Sequence, residues 1–162
     1  MNRAQFIAII QREQEPLRRF LLALCRGNRD EADDIAQEAL MKAYLAADKY
    51  EEKGKGAAWL YRIAYNVFVD WERSHRNIQP LDEAGERTDA TFAADRDFQY
   101  QALYLALEQL SAREQTAILL FYIKGYTIRE IAQIIEASED AVKKLLARGR
   151  DKLKTRLKDE RG

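Results

Sequence analysis

From Phe6 to the closing lysines, apolar residues recur at intervals of three and four, and that period dictates helices almost end to end. Only 2 prolines and 7 glycines interrupt 162 residues, and no stretch alternates as a strand would. Capping chemistry sets the expected boundaries. Phe6, Ile9, Ile10 and Glu13 belong to a first helix. Pro16 is expected to open a second, where its missing N–H costs nothing, and that helix carries Leu17, Phe20, Leu21 and Leu24 before stopping at Gly27. Asp30 is expected to cap a third helix from about Glu31 to Asp48, and a fourth begins near Ala57 and runs past Trp71.

The pattern then lapses. "NIQPLDEAGERTDATFAAD" combines a proline, a glycine and turn-forming polar residues without an apolar stripe, which reads as a linker. A helix is expected around Phe98 to Gln109. "SARE" (Ser111 to Glu114) is a capping box opening a helix with Ile118, Leu119, Phe121 and Tyr122, which Gly125 closes. Thr127 and Glu130 form a second capping box. The expected fold is therefore all-α, with a helical domain over residues 1–76, a linker over 77–96 and a second helical domain over 97–162.

Composition excludes several classes of chemistry. The formal net charge is zero, so any nucleic-acid surface must come from local charge. A single cysteine, Cys25, rules out an internal disulfide framework and a cysteine-based zinc site, and it reads as a small buried hydrophobe on a helix. His75 is the only histidine, and no nucleophile–base pair, phosphate loop or metal-ligand set is present. No cofactor is expected, nor enzymatic activity. No run approaches the roughly 20 apolar residues a membrane span needs, so a cytoplasmic protein with no direct membrane insertion is expected.

Near the C-terminus, "GYTIREIAQIIEASEDAVKKLLARGR" has the pattern of a helix-turn-helix. Ala132 is the small residue where two backbones approach. Ile128, Ile131 and Ile135 form the inner face, answered by Val142 and by Leu145 or Leu146. Ser138 is placed to cap the second helix. Its outward positions include Lys143, Lys144, Ala147 and Arg148, suited to groove edges and phosphates. From Glu139 to Lys158 eight basic residues face three acidic ones, a local +5 that attracts phosphate by counterion release. Glu136 stands in the turn where glycine is usual, at a cost of about 1 kcal/mol if the backbone there is left-handed.

The N-terminal half carries the opposite charge. Across Asn28 to Lys53 eight acids face four bases, a local −4 that suits a basic protein surface rather than DNA. On "EADDIAQEALMKAYLAADKY", Asp34, Gln37, Glu38 and Met41 share a surface distinct from Ile35, Ala39 and Lys42. The next helix, "AAWLYRIAYNVFVDWERSHR", sets Trp59, Leu60, Ile63, Ala64, Val67 and Trp71 on an apolar side against Arg62, Asn66, Val69 and Arg73. Trp59 and Trp71 read as core, and Tyr61 and Tyr65 lie at the edge. Lys49, Lys53 and Lys55 precede this helix, and cations beside aromatics can hold single-stranded bases, where stacking contributes about 1–3 kcal/mol per base.

Taken in order, "ADDIAQEAL", "WLYRIAYN" with "DWERSHR" behind it, and "YTIREIAQIIEASEDAVKKLLARGRDKL" make the chain similar, over nearly its whole length, to the extracytoplasmic-function (ECF) group of bacterial sigma factors. The resemblance implies a two-domain promoter-specificity subunit of RNA polymerase. It implies that Asp33, Asp34, Gln37 and Glu38 dock on the clamp helices of the largest polymerase subunit. Lys53, Lys55, Trp59, Arg62, Asn66 and Arg73 would capture flipped bases of the −10 element of promoter DNA, and Lys143, Lys144 and Arg148 would read the −35 element. The C-terminal domain would also meet the flap of the second-largest subunit, and an anti-sigma factor is an implied partner. Leu40, Tyr65, Glu136 and Leu145 depart from the family's usual residues, and the last three touch turn or DNA-facing geometry, hence the promoter sequence. With no catalytic group, promoter melting would be thermodynamic, binding of flipped bases offsetting an unstacking cost of a few kcal/mol. The rival reading is a free-standing helix-turn-helix repressor or activator, which needs symmetric half-sites and a dimer surface.

Overall fold

One helix, α1 (Arg3–Leu24), occupies the span where two were expected, and Pro16 lies inside it rather than at a start. A proline in a helix interior forgoes one backbone hydrogen bond and costs about 3 kcal/mol. The helix persists because Ile9 before the proline and Leu17, Phe20, Leu21 and Leu24 after it are all buried, each contributing roughly 1.5–3 kcal/mol. Arg26 and Gly27 then adopt positive φ, 56° and 85°, and end the helix as the glycine suggested. Cys25 is buried but falls just past the helix, in the turn.

The computed structural model describes residues 1–50, 56–76 and 105–161, with side chains omitted at 56, 76 and 157–161. The expected linker, most of the helix expected around Phe98 to Gln109, and Lys53 and Lys55 lie outside the described residues. Two compact units divide the chain: Met1–Leu22 with Arg29–Glu86, and Ala23–Asn28 with Arg87–Gly162. Among the described residues every regular element is helical, no helix is long and apolar enough to cross a membrane, and no group of three or more His, Cys, Asp or Glu could hold a metal.

In the first unit α2 (Arg29–Ala46), followed by a 3₁₀ turn (Ala47–Lys49), packs against α3 (Gly56–Arg76). Asp30 sits in the first turn of α2 rather than at its cap, where its charge favours the helix N-terminus. The core joins the apolar face of α1 to Ala32, Ile35, Ala36, Ala39 and Ala43 of α2 and to Leu60, Tyr61, Ala64, Tyr65, Val67 and Phe68 of α3. Burial pushes the Glu31 carboxyl above its ordinary value, and the nearby His75 pulls it partly back.

In the second unit α4 (Ala112–Ile118) opens on the expected capping box. The Glu114 N–H donates to the Ser111 hydroxyl at 3.1 Å, and the Ser111 N–H donates to the Glu114 carboxylate at 2.9 Å. The helix does not run regularly to Gly125. It widens into a π-turn over Leu119–Ile123, after which Gly125 takes φ 74°. α5 (Ile128–Ile135) and α6 (Glu139–Arg161) follow. α6 crosses α4 at Gly149, where a Cβ would stand 2.8 Å from Ile118 Cγ1.

Candidate functional site

Both capping predictions of the helix-turn-helix hold. The Glu130 N–H donates to the Thr127 hydroxyl at 3.1 Å, while the Thr127 N–H donates to Glu130 at 2.9 Å. Ser138 accepts from the Ala141 N–H at 3.1 Å at the start of α6. Between them Glu136 adopts φ 55°, ψ 54°, the left-handed conformation that the turn requires, and its N–H and that of Ala137 both donate to the Ala132 carbonyl. Ala132, Ile131 and Ile135 are buried against Val142 and Leu146, with Ile134 also buried and Ile128 and Leu145 half-buried. That packing turns Lys143, Lys144, Ala147 and Arg148 to solvent on one helix.

In the first unit α2 buries alanines and one isoleucine, and it turns its larger side chains outward. Asp34, Gln37 and Glu38 are exposed as expected. Asp33 differs. It is half-buried, and its Oδ1 accepts from Arg18 Nη2 of α1 at 3.0 Å. At the spacings that share a helix face, Met41 and Leu45 continue the acidic surface, with Tyr44 beside them. These three are 65%, 72% and 66% exposed, and the Tyr44 ring meets Phe6 edge-on at 5.9 Å. Three large apolar groups on adjoining turns thus form an exposed patch of the kind that proteins use for interaction. Sequence reasoning placed Met41 on that surface and missed Tyr44 and Leu45. The run of alanines at the inner positions is the signal that could have found them, since a face of small residues packs closely and pushes larger neighbours outward.

On α3, Arg62 and Arg73 are exposed and Asn66 is half-buried. The aromatic assignments exchange places. Tyr61 and Tyr65, read as edge residues, are buried, Tyr61 edge-on to Phe20 at 5.2 Å. Trp59 and Trp71, read as core, are only half-buried. The buried arc runs from Val67 through Leu60, Ala64 and Phe68 to Tyr61 and Tyr65; Trp59 lies outside it, while Trp71 lies within it but near the helix end. Trp59 stacks on Tyr50 with centroids 4.5 Å apart and planes 15° apart. Trp71 stacks on His75 at 4.0 Å, and His75 Nδ1 lies 2.8 Å from the Trp71 carbonyl, to which it must donate. Of the two tryptophans, Trp59 shares the side of α3 that carries Arg62, Asn66 and Arg73, whereas Trp71 lies on the opposite side of the helix.

A further surface had no counterpart in the sequence pattern. The π-turn carries Tyr122 and Ile123 outward, 52% and 67% exposed. With Leu107, Ile118, Leu119, Leu153, Arg150 and Lys154 they line an apolar cleft of about 290 Å³. The Tyr122 hydroxyl accepts from Arg150 Nη1 at 3.0 Å.

Comparison with known proteins places these surfaces in context. Residues 9–78 match the family described as Sigma-70 region 2, and residues 100–153 match Sigma-70, region 4. The chain is 32% identical over 148 residues to the ECF RNA polymerase sigma factor SigW of Bacillus subtilis (strain 168), covering 82% of this chain and 79% of that protein. It is 26% identical to SigM of the same organism, covering 90% and 91%. Among solved structures it superimposes with a TM-score of 0.81 and 29% identity, over 95% of this chain and 97% of the other, on the sigma factor RpoE crystallised with the anti-sigma factor NepR from Bartonella quintana. It shares its fold, with a TM-score of 0.72 at 23% identity, over 98% and 90% of the two chains, with a structure of CnrH in complex with the cytosolic domain of CnrY.

Proposed function

The chain belongs to the ECF group of RNA polymerase sigma factors, and from that premise we propose how its exposed surfaces divide the work of initiation. It is a sigma factor that directs RNA polymerase to promoters, and its family is one of non-catalytic initiation factors. Residues 1–76 form the polymerase-binding and −10 domain, 97–162 the −35 domain, and 77–96 the connection between them.

The α2 face docks on the clamp helices of the largest polymerase subunit. Asp34, Gln37 and Glu38 supply charge and hydrogen bonds, and Asp33 contributes from within its pair with Arg18. Met41 and Leu45 supply the apolar centre that desolvated interfaces depend on. Trp59, Arg62, Asn66 and Arg73, with Lys53 and Lys55, hold the unpaired strand of the −10 element, each stacked base contributing about 1–3 kcal/mol towards melting. Lys143, Lys144 and Arg148 enter the major groove of the −35 element. The floor of the apolar cleft receives the flap of the second-largest subunit. The chain works in the cytoplasm, and an anti-sigma factor restrains it, a partner of the same kind as the NepR bound to the Bartonella sigma factor it resembles.

The observation that carries this reading is the α2 face, where acids and large apolar groups stand exposed side by side on a rigid helix. A free-standing repressor or activator has no use for such a face and is not favoured. The test is charge reversal, Asp34→Arg with Glu38→Arg, in the full chain. Polymerase binding is expected to fall at least tenfold while affinity for −35 duplex by the free protein is unchanged. Retained polymerase binding contradicts the assignment.

A further inference from the structure

The helix that enters the groove is longer than reading requires. α6 has 23 residues, about 35 Å at 1.5 Å per residue, and the residues assigned to the −35 element lie in its first ten. Beyond them the helix surface divides into two flanks. Arg150 and Lys154 border the apolar cleft with Tyr122 and Ile123. Asp151, Lys152 and Arg156 border a separate shallow depression with Gln109 and Thr155. Asp151 is the only acid past Arg148 among the α6 residues whose side chains are described. Lys152 is engaged by Glu114 at 2.7 Å. Asp151 and the Glu114-paired Lys152 border the second depression rather than the cleft, although Asp151 is also three residues from Lys154 on the helix.

At 100° per residue, Arg150 and Lys154 fall within roughly 20° of Lys143 around the helix. Lys143, Ala147, Arg150 and Lys154 are all exposed, so one edge of α6 carries cations along three turns with no acid among them. Arg150 is also held in place. The hydroxyl of Tyr122 accepts its Nη1–H at 3.0 Å, and a neutral hydroxyl orients the guanidinium without cancelling its charge. The spacing fits a duplex. Arg150 lies about 10 Å and Lys154 about 16 Å beyond Lys143 along the axis, whereas the major groove is about 12 Å wide. A helix with Lys143 in the groove brings the later pair level with the backbone bordering it, as the C-terminal end of a recognition helix does in some helix-turn-helix variants.

We propose that Arg150 and Lys154 form a second, sequence-independent phosphate site that grips the duplex beside the −35 element. The proposal rests on the placement of Lys143, Lys144 and Arg148 at that element. It extends the footprint of the domain and adds affinity that salt removes.

The experiment measures affinity for a labelled promoter duplex between 50 and 200 mM salt. It uses the full chain assembled with core polymerase, comparing parent, R150Q/K154Q, R150K and K143Q. Each lost phosphate contact lowers the slope of log affinity against log salt by about 0.9. The double variant should lose about 1.8 from the slope, so the salt rise costs it about 12-fold less affinity than it costs the parent. The loss should be the same on promoters with altered −35 sequences, and R150K should keep the parental slope. An unchanged slope in the double variant, with K143Q reduced, overturns the second site alone. An unchanged slope in both overturns the placement of α6 on DNA as well. A double variant that assembles poorly with polymerase at fixed salt, yet keeps the parental slope once assembled, shows that the edge binds an acidic protein surface, and the proposal fails.

Discussion

Glu136 is a residue whose sequence and conformation disagree. It holds φ 55° in the turn between α5 and α6, where a side chain costs about 1 kcal/mol relative to glycine. Its side chain is exposed. Glu136→Gly should raise stability by up to about 0.5 kcal/mol, because the greater freedom of the unfolded glycine chain offsets much of the relieved strain, as read by thermal unfolding. A lower midpoint would mean that the carboxylate makes a stabilising contact outweighing the strain. Glu114 gives a second test at this scale. Burial alone would raise its carboxyl, but the Lys152 ammonium at 2.7 Å and the Ser111 cap outweigh burial and hold it below its ordinary value of 4.5. A carboxyl lowered in the folded state contributes stability that is complete above that ordinary value and is lost as pH falls through the folded one. The Lys152→Met variant should therefore be less stable than the parent by about 1 kcal/mol at neutral pH, since Lys152 is half-exposed and its pair is screened. The two proteins should converge once the pH has fallen below the lowered folded-state value of the Glu114 carboxyl. A gap that persists in acid would assign the loss to packing instead of charge.

At the scale of elements, α2 is where the account is most exposed to test. Leu45 is 72% exposed, so Leu45→Glu should leave the unfolding midpoint within about 0.5 kcal/mol of the parent. It should weaken polymerase binding by about tenfold or more, the scale of a buried interface anchor. Loss of stability together with binding would place Leu45 in the fold rather than at an interface. The same helix shows what the sequence could and could not reveal. Capping boxes at Ser111 and Thr127, the Ser138 cap and the left-handed turn at Glu136 were legible because each is fixed by two or three neighbouring residues. The exposure of Asp34, Gln37 and Glu38 on α2 and of Lys143, Lys144 and Arg148 on α6 was legible from helix period alone, whereas the pairing of Asp33 with Arg18 was not. Pro16 was misread because its tolerance depends on core contacts from both halves of α1, which local chemistry cannot supply. The π-turn at Leu119–Ile123 left no local mark, and with it the apolar cleft went unseen. On α3 the tyrosines are buried and the tryptophans half-buried, because several aromatic and large aliphatic residues compete for one face and only packing against the neighbouring helices decides among them.

For the whole molecule, the proposed assignments make initiation a sum of weak grips. The acidic and apolar face of α2, the cationic and aromatic face of α3 and the cationic edge of α6 lie on one chain, so engagement of one raises the effective concentration of the others. Each surface can then remain modest in affinity and still select a promoter jointly. On the proposed assignment melting needs no turnover, since flipped bases held at Trp59 and its neighbours would offset the few kcal/mol that unstacking costs. The measurement that tests this account most directly is multi-round transcription by purified core polymerase with and without this protein on a library of duplex promoters, with the transcripts sequenced. Transcripts that depend on the protein and start downstream of a shared pair of elements, one matching a −35 and one a −10 position, are the predicted result. No protein-dependent transcript from any member of the library, alongside specific duplex binding by the protein alone, would contradict it.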